Sequence, residues 1–370
     1  MKGWALIGGS LTGLALALLL SQWASRSRPL PPAQLISDAH GALADICIQY
    51  RQDFNASVIE TLMDLLEGLD DDLEIRIVVE RRAEFDFLKA ELARHGVTRL
   101  DRLSAVITGF PITPWARDRF GALTADGKPV IAVPPARSSM SGARGHDERV
   151  PEILAGCVSG GTCRPLSFMF EGGDLLADED NAFISANCLG RNSPLDVDDR
   201  PGLLQRMKDD LGRRIIIIGA TPEEVPDHHI CMVLTPLGDK RVAVADPWLG
   251  LETYRNNPAG EAVEVETDLA KYEPFRIVRQ CLERQGFQIV PIPLLLTRTP
   301  RVFVSYNNVI LERRDGEKRV YMPVYGVPAL DRSAGEAFEK EGWQVIPVRV
   351  AKLYRHTGSL RCQVGIIRRR

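Results

Sequence analysis

The chain has 370 residues, of which 45% are hydrophobic and 26% are charged. This composition is typical of a folded globular protein and argues against a disordered, collagen-like or coiled-coil chain. Lysine and arginine number 46 against 49 acidic residues, which gives a formal net charge of −3. Because the chain has no excess of positive charge to bind phosphates, we expect no nucleic-acid partner. The length allows two ordinary domains or one large α/β assembly with a sizeable core.

An apolar segment opens the chain. Residues 4–20 carry no charge, Lys2 precedes them, and a proline-rich stretch with two arginines follows. This order is typical of a secretory signal, and the run is just long enough to remain as a tilted membrane anchor. A buried core helix is the alternative. The sequence therefore predicts a signal peptide or membrane anchor at 1–34, an exported or membrane-anchored protein, and a single folded domain at 35–370.

Hydrophobic periodicity predicts helices and strands that alternate along the rest of the chain. In chain order these are a helix at 57–66, a strand at 75–80, a helix at 83–95 and a strand at 103–108; a hairpin of strands 120–124 and 130–133; a hairpin of 171–176 and 182–186, a helix at 201–211 and a strand at 214–219; a hairpin of 230–235 and 241–245, a helix at 268–285 and a strand at 287–293; a hairpin of 302–311 and 319–324, a helix at 331–341 and a strand at 343–350; and a last strand at 362–367. We expect this last strand to pair with N-terminal material and complete a unit.

The same order of hairpin, helix and strand recurs, which indicates radial or stacked repetition within one domain. The polar residues Asp118, Glu171, His229, Ser305 and Cys362 stand at or near the start of successive units, at intervals of 53, 58, 76 and 57 residues. If the units surround an axis, this spacing delivers all five to one end of a central channel. A single open mixed sheet is the alternative.

Seven cysteines are present, so at least one thiol is unpaired even in an oxidising compartment. Cys157 and Cys163 flank a short loop and are the easiest pair to connect by a disulfide. The segment His228-His229-Ile230-Cys231 contains residue types that bind metals, but no matching Cys-x-x-Cys occurs elsewhere. We therefore expect neither a metal nor another cofactor.

Four short stretches contain unusual combinations of polar residues. They are Trp115-Ala116-Arg117-Asp118-Arg119-Phe120-Gly121, Phe170-Glu171-Gly172-Gly173-Asp174, Asp227-His228-His229-Ile230-Cys231-Met232 and His356-Thr357-Gly358-Ser359-Leu360-Arg361-Cys362. Each has an ordinary structural explanation when taken alone, since an aspartate pairs with arginine at surfaces, a glycine pair marks a turn, and a histidine or cysteine is often simply buried. Because these stretches recur at a similar position in successive units, we interpret them together as a functional site.

In this order the four stretches, with Ser305-Tyr306-Asn307-Asn308 between the third and the fourth, resemble the agmatine deiminase and bacterial peptidylarginine deiminase branch of the guanidino-group-modifying superfamily. That family pattern runs Trp-x-Arg-Asp-x-Gly, Glu-Gly-Gly, Gly-His-x-Asp, Ser-Tyr-x-Asn and a glycine-rich loop ending in Cys. Residues 188–192 also resemble a segment of the family. The resemblance spans about residues 105–366. It implies an α/β fold, the five-bladed pentein propeller, which agrees with the repeat above. The implied substrate is a small-molecule or peptide guanidine.

The resemblance also implies roles for individual residues. Cys362 attacks the guanidinium carbon as a thiolate, His229 transfers protons, and Glu171 orients His229. Asp118 pairs with guanidinium N–H groups in planar geometry. The residues implied to shape or line the substrate site are Trp115, Arg117, Ser305, Asn308 and Cys231.

One position departs from the family pattern. Cys231 stands where the family has a second substrate-binding aspartate, and His228 replaces the preceding glycine. Loss of one partner of a buried charge pair costs about 2–5 kcal/mol of binding. The sequence therefore predicts a guanidine hydrolase that releases ammonia, and leaves open weakened activity, a changed substrate, amidino transfer, or a non-catalytic module that binds a cationic ligand.

Overall fold

The computed structural model describes residues 31–136, 140–192, 199–257, 263–298 and 301–370. Residues Ala33–Arg370 form one compact unit. The apolar segment at 4–20 lies outside the described residues, so the signal peptide or membrane anchor stays a prediction. No helix within the described ranges is long and apolar enough to cross a membrane.

One pattern of strand pairing recurs along the described part of the chain, whose strands form five sheets. In each sheet an antiparallel pair continues into a parallel pair. The sheets comprise Val364–Arg369, Leu43–Gln49, Glu74–Val79 and Leu103–Ile107; Gln34–Leu35, Gly121–Ala125, Lys128–Val133 and Thr162–Pro165; Leu175–Ala177, Asn181–Ser185 and Arg214–Ile218; Leu234–Gly238, Arg241–Asp246, Gln288–Leu296 and Phe303–Ser305; and Ile310–Arg314, Glu317–Val324 and Gln344–Arg349. The predicted α/β class is confirmed, and the five sheets fit the predicted five-bladed propeller.

Helices connect the strands of the units. The α-helices of the described residues are Asn55–Gly68, Arg82–Arg94, Gly142–His146, Val150–Cys157, Ala186–Asn192, Arg200–Leu211, Pro247–Asn256, Glu273–Arg284, Pro328–Lys340 and Leu360–Gln363. The sequence patterns did not predict Val150–Cys157 or Pro247–Asn256. Both are short and carry proline in the first turn, where proline is compatible with a helix but resembles a loop signal in sequence.

The last strand closes the chain of units onto its beginning. Val364–Arg369 pairs antiparallel with Leu43–Gln49, with Val364 opposite Ile48. The predicted pairing of the C-terminal strand with N-terminal material is therefore confirmed. This pairing also fixes the turn that precedes Val364 against the first sheet.

Three segments that were expected to begin a strand are helical turns instead. Gly172–Asp174 and Ile230–Met232 are single 3₁₀ turns, and Leu360–Gln363 is a single helical turn. Each strand starts only after its turn. Side chains in a turn are not confined to the two opposite faces of a strand, so neighbouring residues can point into a common site.

The predicted continuous strand at 302–311 is wrong. Phe303–Ser305 and Ile310–Arg314 belong to different sheets. Between them the buried side chains of Asn307 and Asn308 hydrogen-bond to the backbone of other segments, and these bonds stabilise a turn. The apolar character of the run reflects burial of the whole segment rather than one extended strand.

All seven cysteines lie within the described residues and are free thiols. The connection suggested for Cys157 and Cys163 is therefore wrong. Cys157 ends the helix Val150–Cys157, whereas Cys163 lies within a strand that pairs with Lys128–Val133.

Candidate active site

One cleft of the protein collects side chains that the sequence analysis singled out. Trp115, Asp118, Glu171, His229 and Cys362 all line it, and it encloses about 1250 Å³ of space that opens to solvent. Asp118, Glu171, His229 and Cys362 each precede a strand, and these four strands belong to four different sheets. The repeated unit thus brings residues that are far apart in sequence to one place.

Two glycines allow the turn after Glu171 to pack directly against the rest of the site. A Cβ atom on Gly172 would lie 1.9 Å from the carbonyl oxygen of Arg117, and one on Gly173 would lie 2.5 Å from the His229 ring. Both separations are far below van der Waals contact, so a larger residue would displace these groups. The glycine pair therefore sets the distance between Glu171 and His229.

His229 is held between acidic groups and the sulfur of Cys362. Its Nε2 donates to Glu171 Oε2 at 2.8 Å, and its Nδ1 lies 3.9 Å from Asp118 Oδ1. Burial lowers the pKa of His229, but the hydrogen bonds to Cys362 and Glu171 and the nearby Asp118 outweigh it and hold the pKa well above its usual value. Burial raises the pKa of Glu171, but the hydrogen bond from His229 brings it well below its usual range. The imidazole is therefore positively charged at neutral pH.

Cys362 is held in its thiolate form. A hydrogen bond from the Cys231 thiol lowers the pKa of Cys362, whereas burial raises it. The hydrogen bond and the charge of His229 also lower it, and the pKa of Cys362 lies well below its usual value as a result. The backbone N–H of Cys362 donates to Asn308 Oδ1 at 3.3 Å, and Asn308 Nδ2 lies 3.5 Å from the Cys362 sulfur. A thiolate beside an imidazolium is an activated nucleophile.

Asp118 forms another part of the cleft wall and is 6% exposed. Burial raises the pKa of Asp118 to about 7, with His229 acting in the opposite direction. Arg144 Nη2 lies 3.8 Å from Asp118 and 3.3 Å from Glu171. With the pKa of Asp118 raised in this way, a bound cation would stabilise the ionised form of the carboxyl.

Arg117 does not reach the cleft. Its guanidinium donates to the Leu175 carbonyl at 2.6 Å and lies 3.6 Å from Asp38, on the interior side of the site. The Arg117 side chain is not among those that line the cleft, so its predicted role in substrate binding stays a prediction without a contact to support it. Its backbone N–H donates to the Cys362 carbonyl at 3.1 Å, which braces the turn that carries the thiol.

The remaining predicted residues lie behind the cleft wall. Ser305 Oγ donates to the Met232 carbonyl at 2.6 Å and is fully buried. Asn308 lies against the turn of Cys362, and its Nδ2 also lies 3.5 Å from the sulfur of Cys231, which is 1% exposed. Ser305, Asn308 and Cys231 therefore support the site from the interior and do not form its ligand-facing surface.

Two arginines at the cleft were missed by sequence reasoning. Arg191 Nη2 lies 3.0 Å from Glu171 Oε2, and Arg144 contacts the other oxygen of the same carboxylate. Arg191 falls in the segment 188–192, whose family likeness was a usable signal. Arg144 lies on the five-residue helix Gly142–His146, and no motif or periodicity in the sequence marks it.

The described residues contain no group of three or more His, Cys, Asp or Glu side chains arranged to hold a metal ion. His228 lines the cleft beside His229, and burial lowers the pKa of His228. Its ring packs against Phe303 with centroids 5.2 Å apart. His228 is therefore a neutral wall residue in this arrangement.

Solved structures with the same fold are agmatine deiminases. The enzyme from C. jejuni is 15% identical, with a TM-score of 0.69, and the match covers 91% of this chain and 97% of that chain. A cysteine-to-serine variant of the C. jejuni enzyme with substrate bound gives 15% identity and a TM-score of 0.67 over the same shares, 91% and 97%. The agmatine deiminase of Enterococcus faecalis is 14% identical, with a TM-score of 0.66 over 90% of this chain and 95% of that chain. At these identities the likeness shows a shared fold.

No curated protein sequence matches the chain. The sequence family described as Porphyromonas-type peptidyl-arginine deiminase matches residues 50–364. This range contains every stretch from which the resemblance was inferred, and the resemblance is confirmed. Because the match spans most of the 370 residues, the chain belongs to the Porphyromonas-type peptidyl-arginine deiminase family.

Proposed function

We propose that the protein hydrolyses a guanidino C–N bond, with Cys362 as the nucleophile and with release of ammonia. The observation that carries this proposal is that Cys362 and His229 line one cleft together with Asp118 and Glu171, with His229 bonded to Glu171 at 2.8 Å. Family membership supports the same reaction class. No cofactor enters the reaction.

In the first half-reaction the Cys362 thiolate attacks the guanidinium carbon. Asp118 accepts hydrogen bonds from the guanidinium N–H groups and holds the planar cation in place. The protonated His229 donates its proton to the departing nitrogen, and ammonia leaves as the C–N bond breaks. Carbon remains bonded to sulfur as a thiouronium intermediate.

In the second half-reaction His229, now neutral, removes a proton from a water molecule that attacks the thiouronium carbon. The C–S bond breaks, the thiolate of Cys362 is restored, and the ureido product leaves. One water is consumed and one ammonia is formed for each guanidine. Glu171 stabilises the positive charge on the imidazole at the start and the end of this cycle through the bond of 2.8 Å.

A substrate guanidinium has to compete with the protein's own Arg144. The Arg144 guanidinium contacts both Asp118 and Glu171, and its side chain is 45% exposed, so it can leave the carboxylates without crossing the core. The solvent-open cleft accommodates the alkyl chain of agmatine or an arginine side chain of a peptide. We therefore propose a small or peptide-borne guanidine as substrate.

A second candidate function is binding of a cationic ligand without turnover, or action on a substrate other than an ordinary guanidine. Two observations favour it: Cys231 supplies no carboxylate, and Arg144 and Arg191 already neutralise Glu171. A cation bound by Asp118 alone is held less tightly than one between two carboxylates.

Formation of ureido product from agmatine, arginine and arginyl peptides tests the two candidates. We expect wild-type protein to form ureido product and ammonia in equal amounts, with no added amine, and Cys362→Ser to be inactive while folding normally. A haloacetamidine should label Cys362 before any other thiol. Binding of agmatine by calorimetry with no product, equal in wild type and Cys362→Ala, would instead establish the binding function.

Export is a separate proposal that depends on the apolar segment at 4–20. Cell fractionation of the full chain and of a variant lacking 1–34 tests it. We expect the full chain outside the cytoplasm or in the membrane fraction, and the truncated chain in the cytoplasm. Equal distributions would contradict the proposal.

A further inference from the structure

A second thiol lies directly against the nucleophile, and the proposed reaction does not use it. Cys231 belongs to the turn Ile230–Met232, and Cys362 belongs to the turn Leu360–Gln363. Both side chains belong to the same cluster of buried residues. The Nδ2 atom of Asn308 lies 3.5 Å from each of them. The fold therefore holds two thiols of different sheets side by side.

The two thiols differ in their position relative to the cleft. Both are buried, but Cys362, which is 4% exposed, lines the cleft, whereas Cys231, which is 1% exposed, does not. A small solute that enters the cleft therefore reaches Cys362 first. The hydrogen bond to Cys362, followed by burial, raises the pKa of Cys231 well above its usual value, so the inner sulfur is a neutral thiol. The pair consists of a thiolate that lines the cleft and a thiol behind it.

We propose that Cys362 and Cys231 form a peroxide-reactive dithiol site, whose oxidised form is a Cys231–Cys362 disulfide that reversibly blocks the cleft. The block of guanidine hydrolysis rests on the proposed function, but formation of the disulfide does not. The substrate class of this site is a small hydroperoxide. External dithiols are the class of reductant that returns it to the reduced form.

The chemistry takes two steps. The Cys362 thiolate attacks one oxygen of the hydroperoxide; the O–O bond breaks, the peroxide is reduced to an alcohol or water, and Cys362 becomes a sulfenic acid. The proton for the leaving oxygen comes from the imidazolium of His229. Cys231 then attacks the sulfenyl sulfur, the S–O bond breaks, and the hydroxyl leaves as water with the proton of the Cys231 thiol.

The geometry favours this second step over further oxidation. A disulfide needs the sulfurs to approach to about 2.05 Å, and both sulfurs already lie 3.5 Å from the same Nδ2 atom of Asn308. Both residues lie in single turns rather than in the middle of paired strands, so the approach does not break a strand ladder. A sulfenic acid with a thiol already in contact condenses to a disulfide before a second peroxide arrives.

Mapping of oxidised thiols by mass spectrometry tests the proposal. Reduced full-length protein is treated with hydrogen peroxide, its remaining thiols are alkylated, and it is digested without reductant. We expect a peptide in which Cys231 is linked to Cys362, together with loss of deiminase activity that dithiothreitol restores. Cys281→Ser is the matched control, because Cys281 is a partly buried thiol that bonds to the Ile217 carbonyl, and it should behave as wild type.

Cys231→Ala removes the second thiol, and Cys231→Ser serves the same purpose if the alanine variant does not fold. In either variant we expect Cys362 to proceed to the sulfinic acid, without a cross-linked peptide and without recovery by dithiothreitol. The proposal is overturned if wild-type Cys362 reaches the sulfinic acid as fast as in these variants and no cross-link forms. A cross-link in a protein that forms no ureido product would refute the proposed function alone.

Discussion

Removal of the charge of Glu171 should move the pH dependence of the reaction in a definite direction. In Glu171→Gln the side chain keeps its size and an acceptor oxygen, but the bond of 2.8 Å to His229 is no longer formed with a carboxylate. Such charge-assisted bonds contribute about 1.5–3 kcal/mol. Since one pKa unit corresponds to about 1.4 kcal/mol, we expect the pKa of His229 to fall by about 1–2 units.

The sign of the effect follows from the form of His229 that the proposed reaction requires. In that reaction turnover needs protonated His229, and the raised pKa of His229 preserves that form as the pH increases. When the pKa falls, the proton is lost at a lower pH, so the alkaline limb of the rate profile should move to lower pH by the same amount. Arg144 and Arg191, which lose their partner in the variant, add positive charge near the ring and shift the pKa in the same direction.

Two measurements check this prediction. Rates of ureido product formation between about pH 6 and 10 give the limb, and NMR titration with histidine-selective ¹⁵N labelling gives the pKa of His229 without requiring turnover. Glu152→Gln is the control, because it removes the same charge from an exposed helix position. An alkaline limb and a His229 titration that are both unchanged in Glu171→Gln would refute the assignment of Glu171 as the partner that keeps His229 charged.

Three further predictions concern the packing and charge of the cleft. Gly173→Ala places a Cβ 2.5 Å from the His229 ring. Such overpacking costs about 1–3 kcal/mol, so we expect kcat to fall roughly 10- to 100-fold. In the control Gly156→Ala the new Cβ meets no atom within 4 Å, and the rate should be unchanged. Arg144→Ala removes a partly exposed competitor for the site carboxylates and should lower KM for agmatine about 2- to 5-fold; an increase in KM would show that this arginine assists binding. Cys231→Asp replaces a hydrogen-bond donor by a carboxylate beside Cys362. The pH at which Cys362 becomes reactive toward iodoacetamide should therefore rise by about 1–2 units. The rise should be much smaller in Cys231→Ser, which keeps a donor. Equal profiles for the two substitutions would contradict the hydrogen bond between the sulfurs.

Local chemistry explains which parts of the fold were predictable. The turns at Asp126-Gly127 and Asp315-Gly316 were expected from residue type, and both residues of each pair adopt positive φ in the structure. The helix predicted at 331–341 is observed at Pro328–Lys340, because its apolar residues recur at helical spacing. Such features depend on a few neighbours along the chain, which a sequence displays directly.

Features that depend on distant partners were mispredicted. The run at 302–311 is mostly apolar, and its pattern predicted one strand across the break between Phe303–Ser305 and Ile310–Arg314. The break is stabilised by the side chains of Asn307 and Asn308, whose partners lie more than 50 positions away in the chain. Periodicity in a short window cannot show these partners.

The sequence by itself determined the repeated unit and which reactive side chains stand at its turns, Cys362 and His229 above all, because periodicity and residue type suffice for both. Only the tertiary structure decided that the Arg117 guanidinium faces the interior, that Arg144 contacts the carboxylates of the cleft, and that Cys231 and Cys362 lie against the same asparagine. These relations arise where turns of different sheets meet. Their chemistry depends on distances across the fold, which spacing along the chain does not specify.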